Sequence, residues 1–197
     1  MARARQLMLE LNNVSAGARK KASYKNTRTT GKEQYYTMPG VVDVCIKAMA
    51  ECVELTDKAI LEPCGGTGEF IEGLARAGIP TDNIISYDIE PAHAGVVHGD
   101  FLDTDVDQEV VTITNPPFGR CNSLAKKFFH QAARSSTHIG FLVPKSWRKW
   151  TVINSLPRKF HLVKDIDLPR DCFYLSGNKE TKKGVLSTIF QVWERRE

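Results

Sequence analysis

Between Ala59 and Ala77 a short apolar run, Ala59 to Pro63, ends in Cys64-Gly65-Gly66-Thr67-Gly68 and opens into a helical pattern with Phe70, Leu74 and Ala75 on one side. A strand that turns through glycines into a helix is the first unit of a parallel sheet, because parallel neighbours need a crossover and a helix covers the sheet while crossing. The alternation then repeats. Asn83 to Ile89, Val96 to Asp100, Val110 to Asn115 and His138 to Pro144 read as further strands, and Leu124, Phe128 and Ala132 line a helix capped by Ser123. Upstream, Pro39 opens a helix carrying Val42, Ile46, Met49 and Val53, which runs to about Leu55. In the last third, Phe160, Leu162, Ile166 and Leu168 alternate with polar residues. Thr188, Phe190 and Val192 do the same on one face, with Ile189 and Trp193 on the other. Only a Gly- and Lys-containing loop joins these two runs, so they are expected to pair antiparallel. The expected fold is α/β, a mostly parallel sheet ending in an antiparallel C-terminal hairpin.

The 197 residues suit one core, and no apolar run nears the roughly 18 residues of a membrane span. Met1 to Leu11 mixes Arg3, Arg5, Gln6 and Glu10 with its apolar residues and so lacks the core of a signal peptide. The five cysteines are scattered with no Cys-x-x-Cys pair, which argues for reduced thiols and against a metal site. An intracellular location, cytoplasmic or else nucleoid or nuclear, without membrane contact is expected. Charge is unevenly placed. Residues 1–34 hold 8 basic and 2 acidic side chains, residues 35–144 hold 7 and 15, and residues 145–197 hold 12 and 6. Residues 1–34 read as a basic, flexible arm and residues 35–197 as the folded domain. Basic ends around an acidic middle suit a polyanionic partner and a cationic ligand.

A Gly-rich turn at the end of a strand in an open α/β sheet is where ligands approach the backbone. Here Glu62 precedes the glycines and Glu69 sits in the first helical turn, and carboxylates there oppose a polyphosphate. S-adenosyl-L-methionine, with an ammonium and a sulfonium against one carboxylate, is net cationic and fits that acidic setting. About 20 residues on, Asp88-Ile89-Glu90-Pro91 closes the second strand, where a carboxylate can accept from both ribose hydroxyls. Asp88 is the first choice and Glu90 the alternative. Gly99-Asp100-Phe101 closes the third, placing Asp100 to accept from an adenine amino group and Phe101 to pack on its ring, although an Asp in a turn also caps turns unaided.

Thr114-Asn115-Pro116-Pro117-Phe118-Gly119 closes the fourth strand. Two prolines stop a ladder and freeze the backbone. Aimed at one point, the Asn115 side-chain oxygen and the Pro116 carbonyl are two acceptors for the two hydrogens of an -NH2 group. Binding those hydrogens out of plane localises the nitrogen lone pair, and Phe118 offers a stacking face to a planar target.

With these motifs the chain resembles the class I S-adenosylmethionine-dependent amino-methyltransferases, and among them small stand-alone adenine-N6 DNA enzymes. The resemblance spans about residues 35–194, from Tyr36-Thr37-Met38-Pro39 to Phe190-Gln191-Val192-Trp193-Glu194. It implies a Rossmann-like seven-stranded methyltransferase sheet with a reversed last strand. It implies a cofactor site at Tyr36, Thr37, Pro39, Glu62, Pro63, Gly65, Gly68, Asp88, Ile89, Asp100, Phe101 and Asn115, with Thr37 and Pro39 near the methionine end. Catalysis falls to Asn115, Pro116, Pro117 and Phe118, with no metal. Phe173, Tyr174, Lys182 and Lys183, in a basic loop with aromatics, are expected to hold a flipped or unpaired base beside Phe118. The partner is a nucleic acid, DNA before RNA. Sequence-specific DNA enzymes of the family carry a target-recognition region for which 197 residues leave no room, so site-specific restriction-type activity is not expected of this chain alone, and a protein partner is one candidate source of target specificity. Other readings stay open: an RNA enzyme acting on adenine N6 or guanine N2, a protein glutamine methyltransferase, and a non-catalytic cofactor-binding subunit.

Overall fold

Seven strands form one sheet in the order β4-β3-β2-β5-β6-β10-β7. They are β2 (Ile60–Glu62), β3 (Ile84–Asp88), β4 (Val97–His98), β5 (Val110–Thr114), β6 (Ser136–Pro144), β7 (Phe160–Asp167) and β10 (Thr188–Arg195). β2 pairs parallel with β3 and β5, and β5 pairs parallel with β6. β10 lies antiparallel between β6 and β7 and is the one reversed strand of this sheet. The expected parallel sheet with an antiparallel C-terminal hairpin is thus the observed one. The structure is a computed structural model that describes residues 35–175, 178–181 and 186–197. The expected basic arm over residues 1–34, and Lys182 and Lys183, lie outside the described residues.

Strand side chains alternate between the faces, and a parallel sheet is covered on both. Ile60, Val111, Ile113, Leu142, Phe190 and Val192 point into a core shared with α1 (Pro39–Ala50) and α2 (Glu69–Arg76). Their neighbours Leu61, Val110, Phe141, Val143, Ile189 and Trp193 point to the opposite core, with α3 (Ser123–Ala132) and α4 (Trp150–Ile153). Phe129 centres that second core, its ring 5.4–6.4 Å from those of Phe141, Trp147, Phe160 and Trp193.

Several expected boundaries move. Helix α1 ends at Ala50 rather than near Leu55, since the chain turns after Glu51 while Leu55 still packs into the core. β4 covers only Val97–His98, because Asp100 already begins the next turn. Asn122, in a left-handed conformation, takes the cap position before α3 in place of Ser123, and its side chain makes no capping bond. The loop between β7 and β10 is not featureless: β8 (Phe173–Leu175) and β9 (Asn178–Thr181) join β1 (Tyr35–Thr37) in a second sheet of order β1-β8-β9. β8 pairs antiparallel with β1, Tyr36 opposite Tyr174 and Thr37 opposite Phe173, and Met38 N–H donates to Cys172 O at 2.7 Å.

Candidate active site

The C-terminal ends of β2, β3, β4 and β5 meet along one edge of the sheet. The turn after β2 can form only because of its glycines. Gly66 and Gly68 have φ of +47° and +84°, in the left-handed region that side chains disfavour. At Gly65 a Cβ would lie 2.2 Å from Ser86 Oγ, and at Gly68 it would lie 2.4 Å from the His93 ring. The turn is also laced to its neighbour, since Gly65 N–H donates to Tyr87 O at 2.9 Å and Ala92 N–H to Gly66 O at 3.0 Å.

Asp88 is the hub of this lacing. One carboxylate oxygen accepts from Gly66 N–H and the other from Glu90 N–H, both at 2.8 Å. Asp88 therefore fixes the glycine turn against the end of β3, and each oxygen keeps acceptor capacity for a ligand hydroxyl. Beside it Ile89 is 56% exposed, an apolar surface at the same strand end. Asp100 caps the following turn by accepting from Leu102 N–H at 2.9 Å. Phe101 is only 2% exposed, and its ring packs 5.6 Å from Phe128 in the second core rather than standing open at the sheet edge. An aromatic beside a sheet edge gains more from a ring-filled core than from a solvent-facing position.

Glu62 is fully buried at the end of β2. Its Oε1 accepts from Cys64 N–H at 2.9 Å and from the Thr114 hydroxyl at 2.5 Å, while Oε2 has no partner. Burial pushes its carboxyl up to about 8, opposed by those two hydrogen bonds and assisted by the nearby Asp88 charge. One side chain thus ties the glycine turn to Thr114, the residue before Asn115. From there Asn115 stands half-buried, its amide reaching Tyr35 O at 3.5 Å; Pro116 is buried, Pro117 exposed, and Phe118 half-buried against the first core. Gly119, Cys121 and Asn122 all have positive φ, of 66°, 53° and 61°, so the segment after the prolines is strained as well as rigid. The buried Asn122 amide donates to Ser146 Oγ at 3.0 Å, anchoring this segment to the turn after β6.

The second sheet walls the other side. Tyr174 hydroxyl bonds Glu69 and lies 3.1 Å from Thr67 Oγ1, and its ring lies 5.5 Å from that of Tyr36. Burial, then the Glu69 carboxylate, push that hydroxyl up to about 12, which keeps it a neutral donor. The Tyr36 ring itself lies over Gly66, within 2.9 Å of where a Cβ would stand. Phe173 packs in the first core and edge-on to Tyr35 at 6.1 Å. Neither Phe173 nor Tyr174 is the exposed stacking face expected from the loop; pairing with β1 turns both into supporting walls. Thr37 is buried in that pairing and Pro39 is the first residue of α1, so the Tyr36–Pro39 motif joins the two sheets. Pro63 lies buried between Glu62 and the glycines.

Two site residues escaped the sequence. His93 covers Gly68 and is held by Glu72 at 3.1 Å and by Gly95 N–H at 3.0 Å. Ser86 fills the space beside Gly65. Their only sequence signal is nearness to Asp88. All five cysteines are free, Cys121 being the exposed one. Among the described residues no group of three or more His, Cys, Asp or Glu side chains could hold a metal ion, and no helix is long and apolar enough to cross a membrane.

No protein-family model matches the sequence, and no curated protein matches it either. Solved structures do. A candidate RNA methyltransferase from Pyrococcus horikoshii aligns over 100% of both chains with a TM-score of 0.65 at 14% identity. The M protein of the type I restriction enzyme EcoKI aligns over 83% of this chain and 44% of its own, with a TM-score of 0.60 and 15% identity. Magnesium protoporphyrin IX methyltransferase from Synechocystis, solved with bound S-adenosylmethionine, aligns over 79% of each chain with a TM-score of 0.55 and 13% identity. The chain has the fold of these methyltransferase structures.

Proposed function

We propose that this chain is an S-adenosyl-L-methionine-dependent N-methyltransferase acting on an amino nitrogen, with adenine N6 of an unpaired or flipped DNA base as the leading target. The observation that carries the reading is the Asn115-Pro116-Pro117-Phe118 turn on the strand next to the glycine turn, the two joined through Glu62. The residues present fit the cofactor. The edge is acidic, the buried Glu62 Oε2 has no partner within the protein, Asp88 keeps lone pairs beside the exposed Ile89, and Gly65, Gly66 and Gly68 make a tight turn against which Ser86, Tyr36 and His93 pack. When bound, the cofactor supplies a methyl group on a sulfonium.

The chain's own residues do the rest. Asn115 and the Pro116 carbonyl accept the two amino hydrogens and aim the nitrogen lone pair out of the ring plane. Phe118 stacks on the target ring, and the prolines hold that geometry without reorganisation. Asp88 accepts the ribose hydroxyls, and Glu62 keeps both halves in register. The RNA target remains the second reading, favoured by the full-length alignment with a candidate RNA methyltransferase. Labelled cofactor offered with separate single-stranded DNA, RNA and protein pools tests the proposal, with product nucleosides identified chromatographically. Label in N6-methyladenine, lost in Asn115→Ala, is the expected result; label only in protein, or none in any pool, overturns it.

A further inference from the structure

We infer that Trp150, with Lys149 before it and Arg120 on the segment bonded to the same turn, forms a stacking and phosphate-contacting site for a single strand of nucleic acid beside the Asn115 turn. The inference rests on the amino-methyltransferase reading and narrows its substrate to an extended polynucleotide.

Of the three tryptophans, Trp147 and Trp193 are 0% and 2% exposed, whereas Trp150 is 74% exposed. An indole is a large apolar surface to leave in water. Trp150 is also not on a loose tail. Trp147, three residues earlier, is locked among Phe129 and Phe141, and Val152, two residues later, is buried in the same core. Backbone bonds close the turn around it, Val152 N–H to Lys149 O at 2.8 Å and Asn154 N–H to Trp150 O at 2.9 Å. The ring is therefore held outward by a rigid support, the arrangement that lets an aromatic side chain stack on a base at little entropic cost.

Its position relative to the target turn follows from the sheet. β5 and β6 are parallel neighbours with Thr114 opposite Phe141, so Pro144 and the turn that follows leave the same sheet edge as Asn115. The Asn122–Ser146 bond then joins the chain after the prolines to the turn that carries Trp147.

Charge decides the occupant. From Val110 to Lys164 the sequence contains ten Lys and Arg and no Asp or Glu, whereas residues 35–109 contain three Lys and Arg against fifteen Asp and Glu. Lys145 and Arg148 are held by Asp165 and Asp167, but Lys149 and Arg120 are exposed, with no ion pair among the described residues. A rigid exposed indole next to Lys149, with Arg120 on the segment tied to the same turn and neither cation in an ion pair among the described residues, suits bases on a phosphate backbone, where a regular row of phosphates meets the cations and bases meet the ring.

The experiment uses the full chain with 12-nucleotide oligo(dT), oligo(U), a DNA duplex and a glutamine-containing peptide as probes. Binding is followed by anisotropy, and exposure of Trp150 by iodide quenching of intrinsic fluorescence, to which the two buried indoles contribute little. A single strand should shield Trp150 from iodide. Trp150→Ala should weaken strand binding by about 5- to 150-fold, and Trp150→Phe should restore most of it. Lys149→Ala and Arg120→Ala should each lower the salt slope by about 0.7. The dT and U arms separate DNA from RNA. Unchanged affinity in Trp150→Ala, no shielding by a bound strand, or shielding by the peptide alone overturns the site. Cofactor titration calorimetry on the same variants keeps the two ideas apart: a wild type that binds no cofactor fails the methyltransferase reading, whereas Trp150→Ala with intact cofactor binding and intact strand affinity fails only this one.

Discussion

Along the chain, the stretch from α1 to β4 and the stretch from β5 to β7 are built alike, from strands that run in one direction and covering helices, yet they differ in what they leave unsatisfied. In the first, residues 35–109 carry fifteen acidic side chains, among them Glu62, Glu69 and Asp88 at a turn whose polar groups are mostly bonded within the protein. In the second, acidic residues are absent from Val110 to Lys164, the backbone is left-handed at Gly119, Cys121 and Asn122, and an indole stands in water. Packing does not require such a division, since surface charges of either sign cover a core equally well. On the proposed function, the two halves answer to ligands of opposite charge, a cationic cofactor and an anionic target, meeting at the Glu62–Thr114 bond.

The comparison breaks most sharply at Asn115. Asn115→Ala is expected to lower single-turnover methyl transfer by 100-fold or more, in the range of losing one pre-aimed polar group, while cofactor affinity measured by calorimetry stays within about twofold. Retention of most of the turnover would falsify the division of labour between the halves.

Asp88→Ala is the counterpart on the acidic side. It removes the acceptor of two backbone N–H groups as well as the proposed ribose contact, so cofactor affinity should fall by about 10- to 100-fold and thermal unfolding should show a loss of about 2 kcal/mol. A variant that melts like wild type and binds cofactor normally removes Asp88 from both roles.

Glu62 tests the junction through pH. Its carboxyl titrates near 8 when folded and near 4.5 when exposed, so the folded state holds its proton more tightly. The resulting stability is fully present below about pH 4.5 and is lost as pH rises toward 8, with a slope of at most about 1.4 kcal/mol per pH unit. Glu62→Gln cannot titrate. Urea unfolding of both proteins from pH 5 to 8 should show wild type losing stability relative to the variant, and parallel curves would mean that the buried carboxyl is not held protonated.

The smallest effect is expected at Cys121, a non-glycine residue at φ 53°. Cys121→Gly relieves a left-handed penalty of about 1–2 kcal/mol but adds unfolded-chain entropy, leaving a net gain of about 0.5 kcal/mol in urea unfolding. A loss of stability instead would show that the thiol side chain, not the backbone, matters there.

The sequence by itself determined the run of strands and helices, the glycine turn and the proline-locked turn. Each rests on a local rule: periodicity sets which face is buried, glycine alone takes the positive φ of residues 66 and 68, and proline ends a ladder. It could also separate the charges, since charge is read by counting. Pairings between distant residues needed the tertiary structure. Thr114 meets Glu62 across 52 residues and Tyr174 meets Thr67 across 107, so no local pattern announces either contact. The same holds for β8 against β1, which buries Phe173, and for the ring core that draws Phe101 inward. A motif names the side chains that can serve a site, but whether an aromatic faces ligand or core depends on the free energy of burying it against partners that only the folded chain assembles.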